Sequence, residues 1–278
     1  MPDTHLETSL LGKPTEYDGA HDAGVLYAVP RAPMRAELGI LGTLPFLGAD
    51  IWNAYELSWL NMRGKPQVAL AKIIFPADSP ALIESKSLKL YLNGYSQTAM
   101  QDMSVVKNRI AADLSRVAGA RVDVYLQTPE EVAGQSLTEM AGLLLDRLDI
   151  DVEVGQVGKE ILQVDASAPQ VEETLVSRLL KSNCPVTGQP DWASVQIYYL
   201  GAPIDQASLL RYLVGFRTHN AFHEQCAEQI FIDIQHACRP TKLSVYARYT
   251  RRGGLDINPW RSNFNATTLP SNLRHPRQ

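Results

Sequence analysis

The sequence predicts an α+β protein in which one module, an antiparallel sheet with helices layered on one face, is used twice. Two observations carry this: an internal repeat, and the same order of strand-like and helix-like runs in each copy. SLKLYLNGY (87–95) aligns with SLLRYLVGF (208–216), placing Ser87 on Ser208, Leu88 on Leu209, Tyr91 on Tyr212, Leu92 on Leu213, Gly94 on Gly215 and Tyr95 on Phe216. In the same ungapped register RVDVYLQ (121–127) falls on KLSVYAR (242–248), with Val124 on Val245 and Tyr125 on Tyr246. Agreement at both ends of a helix-length spacer marks two copies of one module.

Each copy opens with a strand-like run, VALAKIIFPA (68–77) and ASVQIYYLGA (193–202), rich in β-branched and aromatic residues. The repeated strings 87–95 and 208–216 are read as further strands, because polar and apolar residues alternate through ESKSLKLY. The spacer is helical. Met103, Val106, Ile110, Leu114 and Val117 recur at steps of three and four, as do Phe222, Cys226, Ile230 and Ile234 in the second copy. ARVDVYLQT (120–128) and KLSVYARYT (242–250) close the copies as half-buried strands. An order of strand, strand, helix, strand with hairpin connections gives the α+β module. Between the copies, 129–169 is a connector with a helical part, LTEMAGLLLDRL, and a strand-like part, DVEVGQV. The expected boundaries are an N-terminal extension 1–40, a first module 41–150 and a second module 151–278.

A chain of 278 residues, 45% hydrophobic and 20% charged, can bury one large core or two ordinary ones. The first residues have no basic region ahead of an apolar run, and no stretch reaches the ~18 apolar residues of a membrane span. A cytoplasmic location without membrane attachment is expected. Three cysteines, Cys184, Cys226 and Cys238, favour reduced thiols over a disulfide framework. On that reading the sequon at Asn265 means nothing. A net charge of -4 argues against a broad grip on nucleic acid while leaving room for a local basic pocket.

The copies differ in their polar residues. Glu84, Ser85 and Lys86 in the first face Asp205, Gln206 and Ala207 in the second, His223 and Glu224 in the second face Asp102 and Met103 in the first, and only the second carries SNCPVTGQPDW (182–192). Each copy thus keeps half of a polar set, as one composite site shared by duplicated modules would require. Cys184 is open to three readings: nucleophile, metal ligand or small apolar filler. The flanking Asn183, Pro185, Gly188 and Pro190 make its segment a loop, where reactive groups tend to sit, and Asp191 is available to relay a proton. In THNAFHEQC (218–226), His219, His223 and Cys226 share a helical spacing and with Cys184 make a possible zinc set, although Cys226 also lies on the apolar stripe. Glu224 is explained without function by the helix dipole, which rewards a carboxylate there by ~0.3 to 1 kcal/mol. Lys86 and Lys89 fit an ordinary half-exposed strand. RYTRRGG (248–254) clusters cations beside two glycines, a place to hold a phosphate. A GxGxxG fingerprint after a strand and a P-loop are both missing from the sequence.

ESKSLKLYLN, SNCPVTGQPDW and FRTHNAFHEQC together closely resemble the signature segments of the NADPH-dependent 7-cyano-7-deazaguanine reductases, the nitrile reductases of queuosine biosynthesis that supply tRNA modification, in their two-module form. The likeness spans nearly the whole chain. It implies tandem tunnelling-fold (T-fold) modules, each a four-stranded antiparallel sheet with two helices on one side, in a homodimer that makes no direct contact with nucleic acid. The implied reaction reduces the nitrile preQ0 to the aminomethyl compound preQ1 with two NADPH. By motif, Cys184 is the nucleophile that forms a thioimidate and Asp191 the proton donor and relay. Ile83, Glu84, Ser85, His223 and Glu224 are substrate contacts, and Ser85, Lys86, Arg252 and Gly253 contact NADPH, with no metal. Two rivals use the same residues: a zinc hydrolase similar to type I GTP cyclohydrolase, with Cys184, His223 and Cys226 as ligands, and a purine-binding protein in which Cys184 is inert.

Overall fold

The structure, a computed structural model, describes residues 21–152, 158–265 and 268–278. In chain order its strands and α-helices are β1 (Ala28–Pro30), α1 (Arg31–Glu37), β2 (Leu47–Leu60), β3 (Pro66–Pro76), β4 (Ala81–Ile83), α2 (Ser85–Asn93), α3 (Met103–Ala118), β5 (Asp123–Gln127), α4 (Pro129–Val132), β6 (Leu143–Leu144), β7 (Val171–Asn183), β8 (Pro190–Gly201), α5 (Gln206–Gly215), α6 (His223–Cys238), β9 (Lys242–Tyr249) and β10 (Leu255–Ser262). They form two compact units. Among the described residues unit 1 takes 21–34, Asp50–Ser136 and Arg251–Asp256, and unit 2 takes Arg35–Ala49, Leu137–Thr250 and Ile257–Gln278. Compactness therefore divides the chain differently from the repeat boundaries at 40 and 150, because segments near each end of the chain are exchanged between the units.

In unit 1 the strands run in the order β5, β3, β2, with β3 and β5 antiparallel through Ile73 opposite Val124. Helix α3 turns Val106, Ile110 and Leu114 inward, all fully buried, which is the stripe the sequence predicts. Trp52 and Phe75 meet edge to face at 5.6 Å in the same core. A small antiparallel pair, β1 with β4, joins residues of the expected N-terminal extension to the start of α2. Arg31, just after β1, pairs with Asp50 at 2.5 Å, and both are buried.

In unit 2 the order is β10, β9, β8, β7, β6, and each pair from β10 to β7 with a recorded register is antiparallel. Strand alternation sorts β9 into two faces. Leu243, Val245, Ala247 and Tyr249 are fully buried toward α6, while Tyr246 and Arg248 point the other way and donate to the carbonyls of Ser271 and Leu273 in the C-terminal tail. Arg35 and Arg261 converge on the buried Glu228 carboxylate at 2.7 and 2.8 Å. Both units thus combine antiparallel sheet with packed helices. No helix among the described residues is long and apolar enough to cross a membrane.

Three sequence expectations need correction. The strings 87–95 and 208–216 are helices α2 and α5, not strands: Ser87, Leu88, Tyr91 and Leu92 are buried, as are Ser208, Leu209, Tyr212 and Leu213, a helical spacing of one and four. The repeat is also not free of gaps. α2 and α5 lie 121 positions apart (Ser87 to Ser208), but α3 and α6 lie 120 apart (Met103 to His223), and the offset of 121 returns at Val124 and Val245. An extra residue after α6 restores it. The third correction is the connector, where 137–148 forms no α-helix, only β6 and a 3-10 turn at Leu145–Arg147. Gly142, at φ +142, lets the backbone run so close to β7 that a Cβ would lie 2.6 Å from the Thr174 carbonyl oxygen, and β6 then pairs parallel with β7. Most of the strand-like DVEVGQV lies outside the described residues.

Candidate active site

The register of β7 and β8 opposes Ser182 to Asp191 and Asn183 to Pro190, which leaves 184–189 as the hairpin loop. The Cys184 N–H donates to the Gln189 carbonyl at 2.8 Å and the Gly188 N–H returns to the Cys184 carbonyl at 3.0 Å, so the loop is closed on itself. The pairing of β7 with β8 sets Ser182 and Asp191 on one face, and Cys184 follows β7 as the first residue of the loop. Cys184 and Asp191 are both buried, at 4% and 6% exposure, so the cysteine is not displayed on an open loop as its sequence context suggests.

Asn183 ties this hairpin to helix α6. Its N–H donates to the His219 carbonyl at 2.8 Å and its carbonyl accepts from the Ala221 N–H at 3.1 Å. The chain therefore enters α6 beside Cys184, and the first turn of the helix delivers His223 and Glu224. His223 Nε2 lies 3.5 Å from Asp191 Oδ1, and the imidazole meets the Tyr249 ring with centroids 3.9 Å apart. Glu224 is buried at 3% exposure. The N-cap residue, Phe222, supplies no side-chain acceptor to the helix start.

Beneath these residues is a neutral floor. Burial pushes the Cys226 thiol up to about 12, with the charges of Asp191 and Glu224 adding to the shift. Burial likewise holds the Tyr249 phenol well above its ordinary range. The Tyr249 hydroxyl faces Ser182 and Cys226, but neither it nor the Ser182 hydroxyl finds a partner in good hydrogen-bond geometry. Desolvation lowers His219, whose ring packs on Phe216 at 5.3 Å. The suggested zinc ligands do not converge: no group of three or more His, Cys, Asp or Glu among the described residues is arranged to hold a metal.

The remaining predicted residues lie in unit 1. Ile83 is the last residue of β4, opposite Ala28. Glu84 caps α2, its carboxylate accepting from the N–H groups of Lys86 at 2.6 Å and Ser87 at 2.8 Å, and Ser85 and Lys86 follow half-buried in the first turn. Arg252 closes a turn onto Leu255 with an N–H to carbonyl bond of 2.9 Å, and Arg251 lies over the Tyr55 ring at 4.9 Å.

That turn borders a cleft of about 280 Å³ whose lining includes Glu56, Lys89, Asn93, Gly253 and Gly254. Gly253 and Gly254 both have positive φ, +60 and +74, and an added Cβ would stand 2.9 Å from Lys89 Nζ or 2.4 Å from the Glu56 carboxyl carbon. A side chain at either position would have to displace the flexible ends of Lys89 or Glu56 and adopt a left-handed backbone, both of which glycine avoids. Backbone brought this close to a lysine suits a phosphate-bearing group such as NADPH, and the volume admits part of a dinucleotide. Of the predicted cofactor residues only Gly253 lines the cleft; Ser85, Lys86 and Arg252 do not. Glu56 lies in no motif, and Lys89 and Asn93, although inside ESKSLKLYLN, carry no predicted role, Lys89 being expected on a half-exposed strand.

Comparison with known proteins bears on this arrangement. Residues 17–126 match the family described as nitrile reductase, 7-cyano-7-deazaguanine-reductase N-term, and residues 190–268 match the family described as QueF-like protein. The chain is 57% identical over 98% of its length, and 99% of the relative's, to an NADPH-dependent 7-cyano-7-deazaguanine reductase of Burkholderia thailandensis. It is 56% identical, with the same coverage, to the enzyme of that description in Cupriavidus necator. A solved structure, the archaeosine synthase QueF-Like in the apo form, aligns with 36% of this chain and 99% of its own at 17% identity and a TM-score of 0.31. With full-length identity of this order to such reductases, the chain belongs to the NADPH-dependent 7-cyano-7-deazaguanine reductase family.

Proposed function

We propose that this chain reduces the nitrile of preQ0 to the aminomethyl group of preQ1 with NADPH, through a thioimidate on Cys184. Family membership supports the reaction. The observation that supports the residue roles is His223 Nε2 at 3.5 Å from the buried Asp191, at the hairpin whose loop begins with Cys184.

A nitrile accepts hydride poorly, and covalent addition splits the reduction into easier steps. The Cys184 sulfur bonds to the nitrile carbon and the thiol proton passes to nitrogen. Asp191, buried and next to His223, relays the proton. NADPH, when bound, supplies a hydride to the substrate carbon in each of the two reductions. After the first, Asp191 and His223 return a proton to nitrogen and the C–S bond breaks, leaving an imine and regenerating the Cys184 thiol. The second reduction and a further proton give the amine. Glu224 accepts two parallel hydrogen bonds from N1–H and the 2-amino group of the base. By the family motif, Ile83, Glu84 and Ser85 of unit 1 are assigned to the substrate as well. Ser85, Lys86, Arg252 and Gly253 hold NADPH, with Lys89 added from the cleft. We place the enzyme in the cytoplasm as a homodimer that works on the free base and not on nucleic acid, in keeping with its free thiols and net charge.

Mixing enzyme, preQ0 and NADPH should consume two NADPH per preQ0, since nitrile to amine is a four-electron change. Withholding NADPH should leave a preQ0 adduct on Cys184 in the intact mass. Cys184→Ala should lose turnover by at least about 10³-fold while still binding preQ0. Turnover surviving in that variant would overturn the covalent route.

A further inference from the structure

Tyr249 is the last residue of β9 and is fully buried. Its backbone is fixed on both sides: the strand pairs it with Ala193, and its carbonyl accepts from Gln278 Nε2 at 2.9 Å. Gln278 is itself held, its Oε1 accepting from Arg248 at 2.5 Å and its Nε2 also donating to Asn258 Oδ1 at 2.8 Å. From this anchored position the Tyr249 ring meets the His223 imidazole at 3.9 Å with the planes 68° apart, an edge-to-face contact.

His223 needs such a contact. It sits in the first turn of a helix with no side-chain cap, and an imidazole's outer torsion is broad and two-fold. Its Nε2 stands at 3.5 Å from Asp191, where a modest rotation of the ring loses the interaction. We propose that Tyr249 is the positioning residue that holds His223 against Asp191, and that Gln278 pins Tyr249 from the opposite face of the sheet. This rests on the role given above to the His223 and Asp191 pair.

The test is a double-mutant cycle in the full-length enzyme with preQ0 and NADPH. Tyr249→Leu removes the ring and should lower kcat about 10- to 30-fold with KM for preQ0 within about threefold, as misplacement of a catalytic group does. Tyr249→Phe keeps the ring and should retain kcat within about threefold. In a His223→Ala background Tyr249→Leu should cost less than about twofold more, because the residue through which it acts is gone. Gln278→Ala should show a fall of about threefold that also vanishes in that background. Should Tyr249→Leu fail to fold, Tyr249→Met takes its place in the cycle. Full additivity with His223→Ala, or normal kcat in a folded Tyr249→Leu or Tyr249→Met enzyme, would overturn the proposal. A normal kcat in His223→Ala alone would instead overturn the role of His223, and the proposal with it.

Discussion

Helices α3 and α6 hold equivalent places in the two copies and begin differently. α3 starts from Asp102, whose carboxylate accepts from the N–H groups of Ser104 at 2.8 Å and Val105 at 3.0 Å. α6 starts from Phe222, which offers its first N–H groups no side-chain acceptor. A capped start stabilises a helix, and an uncapped one leaves its donors and dipole for other use. In the second copy that end carries Glu224 and His223 instead. The comparison teaches that the same point serves two purposes: the first copy caps its helix there, and the second carries the buried Glu224 and the half-buried His223.

The sharpest way to break this comparison is Glu224→Leu. It should raise the KM for preQ0 about 100-fold, a few kcal/mol of lost base recognition, without lowering the melting temperature. A fall in stability with unchanged KM would make Glu224 a structural residue. A smaller effect is expected at α5, where Asp205 accepts from the Ser208 N–H at 2.7 Å. Asp205→Ala should cost about 1 kcal/mol in denaturant unfolding and leave kcat/KM of the folded enzyme unchanged. The tail that covers β9 provides a pH test confined to unit 2. Burial, assisted by Arg248, lowers His275 to about 4, so the folded protein keeps the imidazole neutral while the unfolded chain takes up a proton near its ordinary 6.5. The unfolded state therefore binds more protons in this window, and stability is complete above about 6.5 and declines as the pH falls toward 4. His275→Gln should reduce that decline, measured by melting temperature against pH. The smallest effect is expected from Asp102→Ala, a slight loss of melting temperature with activity intact. An activity loss there would end the division of labour between the two helix starts.

Much of the fold was legible because burial followed simple periods. The runs 68–77 and 193–202 became β3 and β8, and the two apolar stripes became α3 and α6. The strings 87–95 and 208–216 misled because Leu88, Leu90 and Leu92 alternate like a strand, while Leu88 to Leu92 and Tyr91 to Tyr95 also step by four. Glutamate is an uncommon N-cap, so Glu84 gave no warning of a helix, whereas Asp205 three residues before Ser208 was the readable clue. In the connector Leu143, Leu144 and Leu145 form a run too short to decide between periods. Motif strings singled out Cys184, Asp191, His223 and Glu224, but the backbone bridge at Asn183 that brings hairpin and helix together leaves no mark on side-chain types. Tyr249 and Gln278 were hidden for the same reason: alternation says only that a strand residue is buried, not what it touches.

All three thiols are buried, and at two of them burial also shifts the titration, which has a practical consequence. With Cys226 pushed up to about 12 and Cys238 to about 11, at pH 8 their thiolate fractions are about one in 10⁴ and one in 10³. Electrophiles attack the thiolate, so both are shielded chemically. Covalent labelling at mild pH is thereby disfavoured at Cys226 and Cys238. A reagent that reaches Cys184 would then count active centres without removal of any other cysteine, and a nitrile warhead carrying a dye would turn the native chain into its own reporter.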